Sequence, residues 1–219
     1  TAVVTGKPII MGGSLGRREA TGRGVMITTR EAAKHLGIDI NGATMAVQGF
    51  GNVGSVSADL LTRIGAKVVA VTDWKGGVHN PKGLDVTKLI AWVDEHKTVA
   101  GFPGADPLAA DKIFEMDVDI LIPAALENQI TIENAPKIKE KIVAEGANGP
   151  TTAAAGDKLY ARGVMVIPDM YCNAGGVTVS YFEWLKNLSH VRFGRMEKRW
   201  EERAARKLLH AVESATGET

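Results

Sequence analysis

Gly49-Phe50-Gly51-Asn52-Val53-Gly54 sets three glycines at the spacing G-x-G-x-x-G, directly after the apolar run Ala43-Thr44-Met45-Ala46-Val47 and at the opening of a helix-like stretch. A turn of this kind can hold a pyrophosphate. The first glycine permits the sharp strand-to-helix turn. The second lets the backbone approach the anion with no Cβ in the way, and the third lets helix and strand pack closely. The helix N-terminus adds free N–H groups and a partial positive charge. With 25 glycines in 219 residues, about 0.3 such matches arise by chance, so the motif carries weight only through its context. Asp73 supplies part of that context. It lies 19 residues after Gly54, at the end of the apolar run 67–72. That is near the spacing of about 20 at which an acid accepts hydrogen bonds from the ribose hydroxyls of NAD and repels the 2′-phosphate of NADP. Trp74 and Lys75 come next. A lysine there tolerates a 2′-phosphate, so NADP stays open beside NAD.

Three further polar segments follow apolar runs. Pro123-Ala124-Ala125-Leu126-Glu127-Asn128 offers small residues against which a nicotinamide ribose could lie. Gly146-Ala147-Asn148-Gly149-Pro150-Thr151-Thr152 carries Asn148, and Pro168 to Gly176 carries Asn173. An asparagine amide both donates and accepts, which suits a carboxamide or a ribose. Asn and Gly also simply make turns. Ligands of open parallel sheets bind at the carboxyl ends of the strands, so three such segments beside the glycine turn favour a shared site.

The elements that must position these residues alternate. Strand-like runs are 43–47, 67–72, 118–122, 142–145 and 164–167. Helix-like stretches are 22–36 with Thr21 as its N-cap, the segment from Gly54 to Ile64, 85–97, 131–140 and 152–162, and two helices from about 175 onward. The strands are continuous apolar runs, as burial on both faces requires. The expected fold is α/β, a doubly wound, mostly parallel, Rossmann-like sheet. The chain reads as a single dinucleotide-binding domain over 1–219. It has a leading segment 1–20, a core 21–190 and a C-terminal helix 191–219 that reads as truncated.

Composition narrows the classes. Apolar residues at 45% and charged residues at 23% are ordinary globular values. A net charge of +1 provides no field toward nucleic acid or an anionic membrane. The lone cysteine, Cys172, excludes an internal disulfide and a cysteine-built zinc site; it reads as a packed thiol, and such usage fits a reducing cytoplasm. His35, His79, His96, His190 and His210 lack metal-ligand spacing. No apolar run approaches a membrane span, and the N-terminus is neither a signal peptide nor a starting methionine. Met196, Trp200, Ala204 and Leu208 form an apolar stripe among charges, the pattern of a solvated helix with one buried face.

Five motifs carry a resemblance. Gly13-Ser14-Leu15-Gly16-Arg17 with Ala20-Thr21-Gly22-Arg23-Gly24, the turn 49–54, Pro123-Ala124-Ala125, Glu145 to Thr152, and Asn173-Ala174-Gly175-Gly176-Val177-Thr178-Val179-Ser180-Tyr181-Phe182-Glu183-Trp184 together resemble the glutamate dehydrogenases of the glutamate/leucine/phenylalanine/valine dehydrogenase family. The likeness is to their C-terminal, cofactor-binding half. It implies oxidative deamination of L-glutamate to 2-oxoglutarate and ammonia with NAD or NADP. It also implies that Thr21 contacts the nicotinamide carboxamide, that the turn 49–54 holds the pyrophosphate and that Asp73 sits at the adenosine ribose. Ala124, Ala125, Asn148 and Asn173 line the nicotinamide and its ribose on this reading, while Val177 and Ser180, at i and i+3, touch substrate. Ser180 would donate to the distal carboxylate, which argues against a leucine-, phenylalanine- or valine-type enzyme. A non-catalytic, regulatory dinucleotide-binding module is the rival from another class. The family's glycine- and lysine-rich substrate motif, catalytic lysine and catalytic aspartate have no counterpart here, so the resemblance implies a chain that binds dinucleotide without turnover. The family is typically hexameric.

Overall fold

The computed structural model describes residues 3–189 and Lys207. The strands are β1 (Thr44–Gln48), β2 (Lys67–Thr72), β3 (Gly77–His79), β4 (Asp106–Leu108), β5 (Ile120–Pro123), β6 (Ile142–Ala144) and β7 (Met165–Ile167). The helices are α1 (Ala20–His35), α2 (Asn52–Arg63), α3 (Val86–His96), α4 (Ala153–Ala161), α5 (Asp169–Cys172) and α6 (Gly175–Leu188). The strands form one sheet in the order β4-β3-β2-β1-β5-β6-β7. Strands β2, β1, β5, β6 and β7 run parallel, and β3 and β4 are added antiparallel at one edge. From β1 the chain moves to β2 and later returns to β5 on β1's other side. The crevice at that reversal is where a doubly wound sheet takes its ligand.

Alternate strand residues feed two cores, as the period of two requires. Met45, Val47, Ile120 and Ile122 pack with Val25 of α1, Leu61 of α2 and Leu89 of α3. Ala46, Leu121 and Val143 pack with Ile113, Ile138 and Leu159 of α4. Both faces are therefore covered, and the sheet is the expected α/β doubly wound, Rossmann-like one.

Local departures have local causes. Helix α1 starts at Ala20, with Glu19 in the cap position making no side-chain cap bond, so Thr21 lies inside the first turn rather than capping it. The segment expected as a helix over 131–140 holds only a 3-10 turn, Ala135–Lys137, because Pro136 would stand inside that helix with no N–H to donate, and Ile138 leaves in extended conformation. Strands β3 and β4 escaped the periodicity reading because each has three residues. Asp85 does cap α3, its carboxylate accepting the Lys88 N–H at 3.1 Å. The C-terminal helix expected over 191–219, with its apolar stripe, lies outside the described residues apart from Lys207.

Contacts divide the chain into two compact units, Gly16–Thr178 and a smaller one formed by Thr1–Leu15 with Val179–Thr219. In the smaller unit Glu183 is fully buried. Burial opposes its charge, but the Gly6 and Lys7 N–H groups and the Lys7 ammonium, 3.1 Å away, outweigh it and hold the carboxyl below its ordinary range. Lys186 donates to Gly13 O at 2.8 Å and to Ser14 Oγ at 3.1 Å.

Glu140, two residues before β6, is 1% exposed, and its Oε1 has no hydrogen-bond partner. Burial pushes this carboxyl up to about 7, with N–H bonds opposing and Asp117 adding to the rise. The unfolded chain gives up this proton first as pH rises from 4.5, so the contribution of Glu140 to stability falls between about pH 4.5 and 7 and then levels off. Glu140→Gln is expected to flatten that slope and to be the more stable protein at pH 8 by about 3 kcal/mol. Urea denaturation at pH 5 and pH 8 measures this; equal pH slopes for the two proteins would refute it.

Candidate functional site: a cleft at the strand reversal

The first turn of α2 begins directly after β1. Gly49 has φ +86°, a left-handed conformation that suits glycine, and a Cβ there would lie 2.7 Å from the Ala124 carbonyl oxygen. A Cβ on Gly54 would lie 1.8 Å from the Gly49 oxygen. Gly51 differs: it sits at the N-cap of α2 in extended conformation, and a Cβ there would meet nothing within 4 Å. No side chain caps α2, so its first-turn N–H groups have no partner within the helix. Two of the three glycines are thus demanded by the protein's own backbone. The middle one leaves open space, which is what close approach of a ligand needs.

That open side belongs to a cleft of about 770 Å³. It is walled by Gln48 to Gly51 at the end of β1, Thr72 to Trp74 at the end of β2, the end of α3, Ala110, and Ala124 to Leu126 with Gln129 after β5. Among the expected cofactor residues, Gly49, Phe50, Gly51, Asp73, Trp74, Ala124 and Ala125 meet here; Lys75 is exposed and is not part of the wall. Asn52 turns the other way, its Nδ2 donating to the Arg18 carbonyl at 2.9 Å.

Asp73 has a structural task that spacing could not reveal. Its Oδ1 accepts the N–H groups of Lys75 (2.9 Å) and Gly76 (3.2 Å), and its Oδ2 accepts that of Val99 (2.7 Å). It staples the loop after β2 to the loop after α3. A carboxylate offers about four acceptor sites, so one remains for a ribose hydroxyl.

A second cluster gathers the remaining residues. Asn173 donates through Nδ2 to Asn148 Oδ1 at 2.7 Å. The loop carrying Asn148 reaches the glycine turn: Gly146 and Ala147 donate their N–H groups to the Pro123 carbonyl (3.0 and 2.9 Å), and a Cβ on Gly146 would stand 3.2 Å from Val53 Cγ1. Thr21 joins through glycine: a Cβ on Gly176 would come within 2.3 Å of its hydroxyl, and one on Gly175 within 2.2 Å of the Ala20 carbonyl oxygen. Val177, on α6, is exposed. Ser180 lies further along α6, in the smaller unit.

The sequence reading missed four residues. Glu145 is buried and accepts the Asp169 N–H at 2.9 Å, while Asp169 accepts the Gly149 N–H at 2.8 Å. This pair sets the loop around Asn148, and burial raises the Glu145 carboxyl. Gln48 and Gln129 are hydrogen-bonded at 2.7 Å in the cleft wall. A signal for Gln48 existed, namely a polar residue ending an apolar strand directly before the first glycine.

Cys172 is fully buried, with the Thr28 hydroxyl 3.5 Å from its sulfur. Burial pushes the thiol up to about 11, helped by Glu145 and Asp169 and opposed by Thr28. Native chain at pH 8 is expected to resist a thiol reagent that labels the urea-unfolded chain fully; fast labelling of the native chain would contradict this burial. Among the described residues no cluster of His, Cys, Asp or Glu could hold a metal ion, and no helix is long and apolar enough to cross a membrane.

A model of the family Glutamate/Leucine/Phenylalanine/Valine dehydrogenase matches residues 12–218. The glutamate dehydrogenase of Thermotoga maritima is 54% identical over 187 residues, covering 85% of this chain and 45% of that protein. The NAD-specific glutamate dehydrogenase of Clostridioides difficile is 46% identical, covering 97% of this chain and 51% of that protein. A crystal structure of a hetero-hexameric glutamate dehydrogenase from Thermus thermophilus, in its Leu-bound form, superposes with a TM-score of 0.81 at 35% identity, over 93% of this chain and 49% of that one. The chain spans about half the length of the relatives it matches. With the sheet, the glycine turn and the cleft in place, these similarities lead to one assignment: the chain belongs to the glutamate/leucine/phenylalanine/valine dehydrogenase family.

Proposed function

We propose that this chain supplies the dinucleotide-binding part of an enzyme that oxidatively deaminates L-glutamate to 2-oxoglutarate and ammonia, with NAD preferred over NADP. The observation that carries the reading is Gly51: its vacant Cβ direction opens at an uncapped helix N-terminus, where a pyrophosphate gains N–H bonds and a favourable dipole. Held by the turn 49–54, Asp73 and the Asn148–Asn173 pair, the dinucleotide would supply a hydride acceptor for the deamination. The chain's own work is to bind and orient. The turn 49–54 takes the pyrophosphate, Asp73 faces the adenosine ribose with its remaining acceptor site, and its charge disfavours a 2′-phosphate. The Asn148–Asn173 pair and Thr21 take the nicotinamide end.

Because the pair is joined by Asn173 Nδ2 donating to Asn148 Oδ1, Asn148 keeps its N–H donors and Asn173 its carbonyl oxygen for a carboxamide or ribose. Val177 and Ser180 are assigned to the amino acid, with the Ser180 hydroxyl donating to a distal carboxylate. In the complete enzyme we infer a homo-oligomer, hexameric like its family, working in the cytoplasm.

Parallel titrations with NADH and NADPH, followed by nicotinamide fluorescence, test the reading, together with an assay for NADH formation from glutamate and NAD. We expect tighter binding of NADH and negligible turnover by the chain alone. Tighter binding of NADPH would overturn the role of Asp73, and binding of neither would overturn the cofactor assignment.

A further inference from the structure

Gln48 ends β1 at the cleft and is 8% exposed, yet its Oε1 has no hydrogen-bond partner. A buried amide oxygen left unpaired costs free energy, so the group that satisfies it comes from outside the chain. The polarity of this amide is set by a relay. Gln129 donates through Nε2 to the Glu127 carbonyl at 3.1 Å, which turns its Oε1 toward Gln48. Gln48 Nε2 donates to that oxygen at 2.7 Å. A carbonyl oxygen can only accept, so each amide in turn has one orientation, and the relay ends in an acceptor at Gln48 Oε1.

The cleft around it has further apolar walls in Val93, Ala110 and Leu126. Small apolar walls fit a flat aromatic ring better than a sugar. Resting on the dinucleotide reading above, we infer that Gln48 Oε1 accepts a hydrogen bond from the exocyclic amine of the adenine base, and that Gln129 is the positioning residue that holds this polarity. The site then selects an aminopurine over an oxopurine, whose carbonyl would oppose the Gln48 oxygen.

The test compares NADH with reduced nicotinamide hypoxanthine dinucleotide, which carries a carbonyl in place of the amine. Affinities are read by fluorescence on the 219-residue chain, and folding of each variant by circular dichroism. Wild type is expected to bind NADH about tenfold or more tightly than the analogue, as one buried hydrogen bond lost and one repulsion gained imply. Gln48→Leu is expected to bind the two alike. Gln129→Leu retains Gln48 but frees its amide to flip, so it also loses the preference while still binding. Equal binding by wild type, or a preference that survives in folded Gln48→Leu, overturns the inference and leaves the cofactor reading intact. Failure to bind either dinucleotide overturns both.

Discussion

Gly51→Ala is expected to weaken NADH binding by about 100-fold or more while leaving thermal stability unchanged. The folded chain has room for the methyl group: Gly51 is extended, with φ −77° and ψ −159°, and nothing lies within 4 Å of the added atom. The ligand has none. An anion seated on the first turn of α2 would meet that methyl and lose close approach to the N–H groups beneath it. Two hydrogen bonds to a charged group, at about 1.5 kcal/mol or more each, amount to roughly two orders of magnitude in affinity. A titration beside a melting curve separates the effects. Undiminished binding by a folded Gly51→Ala chain would mean that the turn is only a turn.

Gly54→Ala is expected to do the reverse damage, removing about 4 kcal/mol or more of unfolding free energy, at the exceptional end for a single substitution. Its added Cβ would stand 1.8 Å from the Gly49 carbonyl oxygen, with Val47 Cγ1 at 3.3 Å. That oxygen cannot move aside. Gly49 donates its N–H to the Thr72 carbonyl at 2.8 Å, holding the turn to β2, and the Ala124–Ala125 backbone lies against its other side. The methyl group must therefore push α2 away from β1 and disturb the core that Leu61 and Val47 share. Urea denaturation followed by circular dichroism measures the loss. A midpoint near wild type would show that helix and strand can part without cost. One hexapeptide thus contains a position that fails in binding and a position that fails in folding.

Much of this was legible in the chain alone. The parallel strands and the helices between them follow from apolar runs and from the glycines or prolines that close most of them; β2 coincides with its expected bounds at Lys67–Thr72. The glycine turn was legible because its spacing directly follows an apolar strand and opens a helix, although the protein's own backbone demands only Gly49 and Gly54. The two edge strands were not. Three residues carry too little pattern, and β3 and β4 exist because β2 offers them an edge to pair with.

Side-chain roles divide in the same way. Residue types and spacing determined that an acid follows β2 and that amides follow β6 and β7. Only the tertiary structure decided how each spends its hydrogen bonds. Asp73 gives three acceptor positions to backbone N–H groups, one of them on Val99, 26 residues away. Asn173, whose Nδ2 also faces the Gly146 and Ala147 carbonyls, sets the polarity of Asn148 across 25 residues, and Gln48 acquires an unpaired oxygen from partners 79 and 81 residues distant in sequence. Local chain stiffness and hydrophobic pattern act over a few residues and can be read along the chain. The number of acceptors a carboxylate or amide has left depends on which distant donors the fold brings to it.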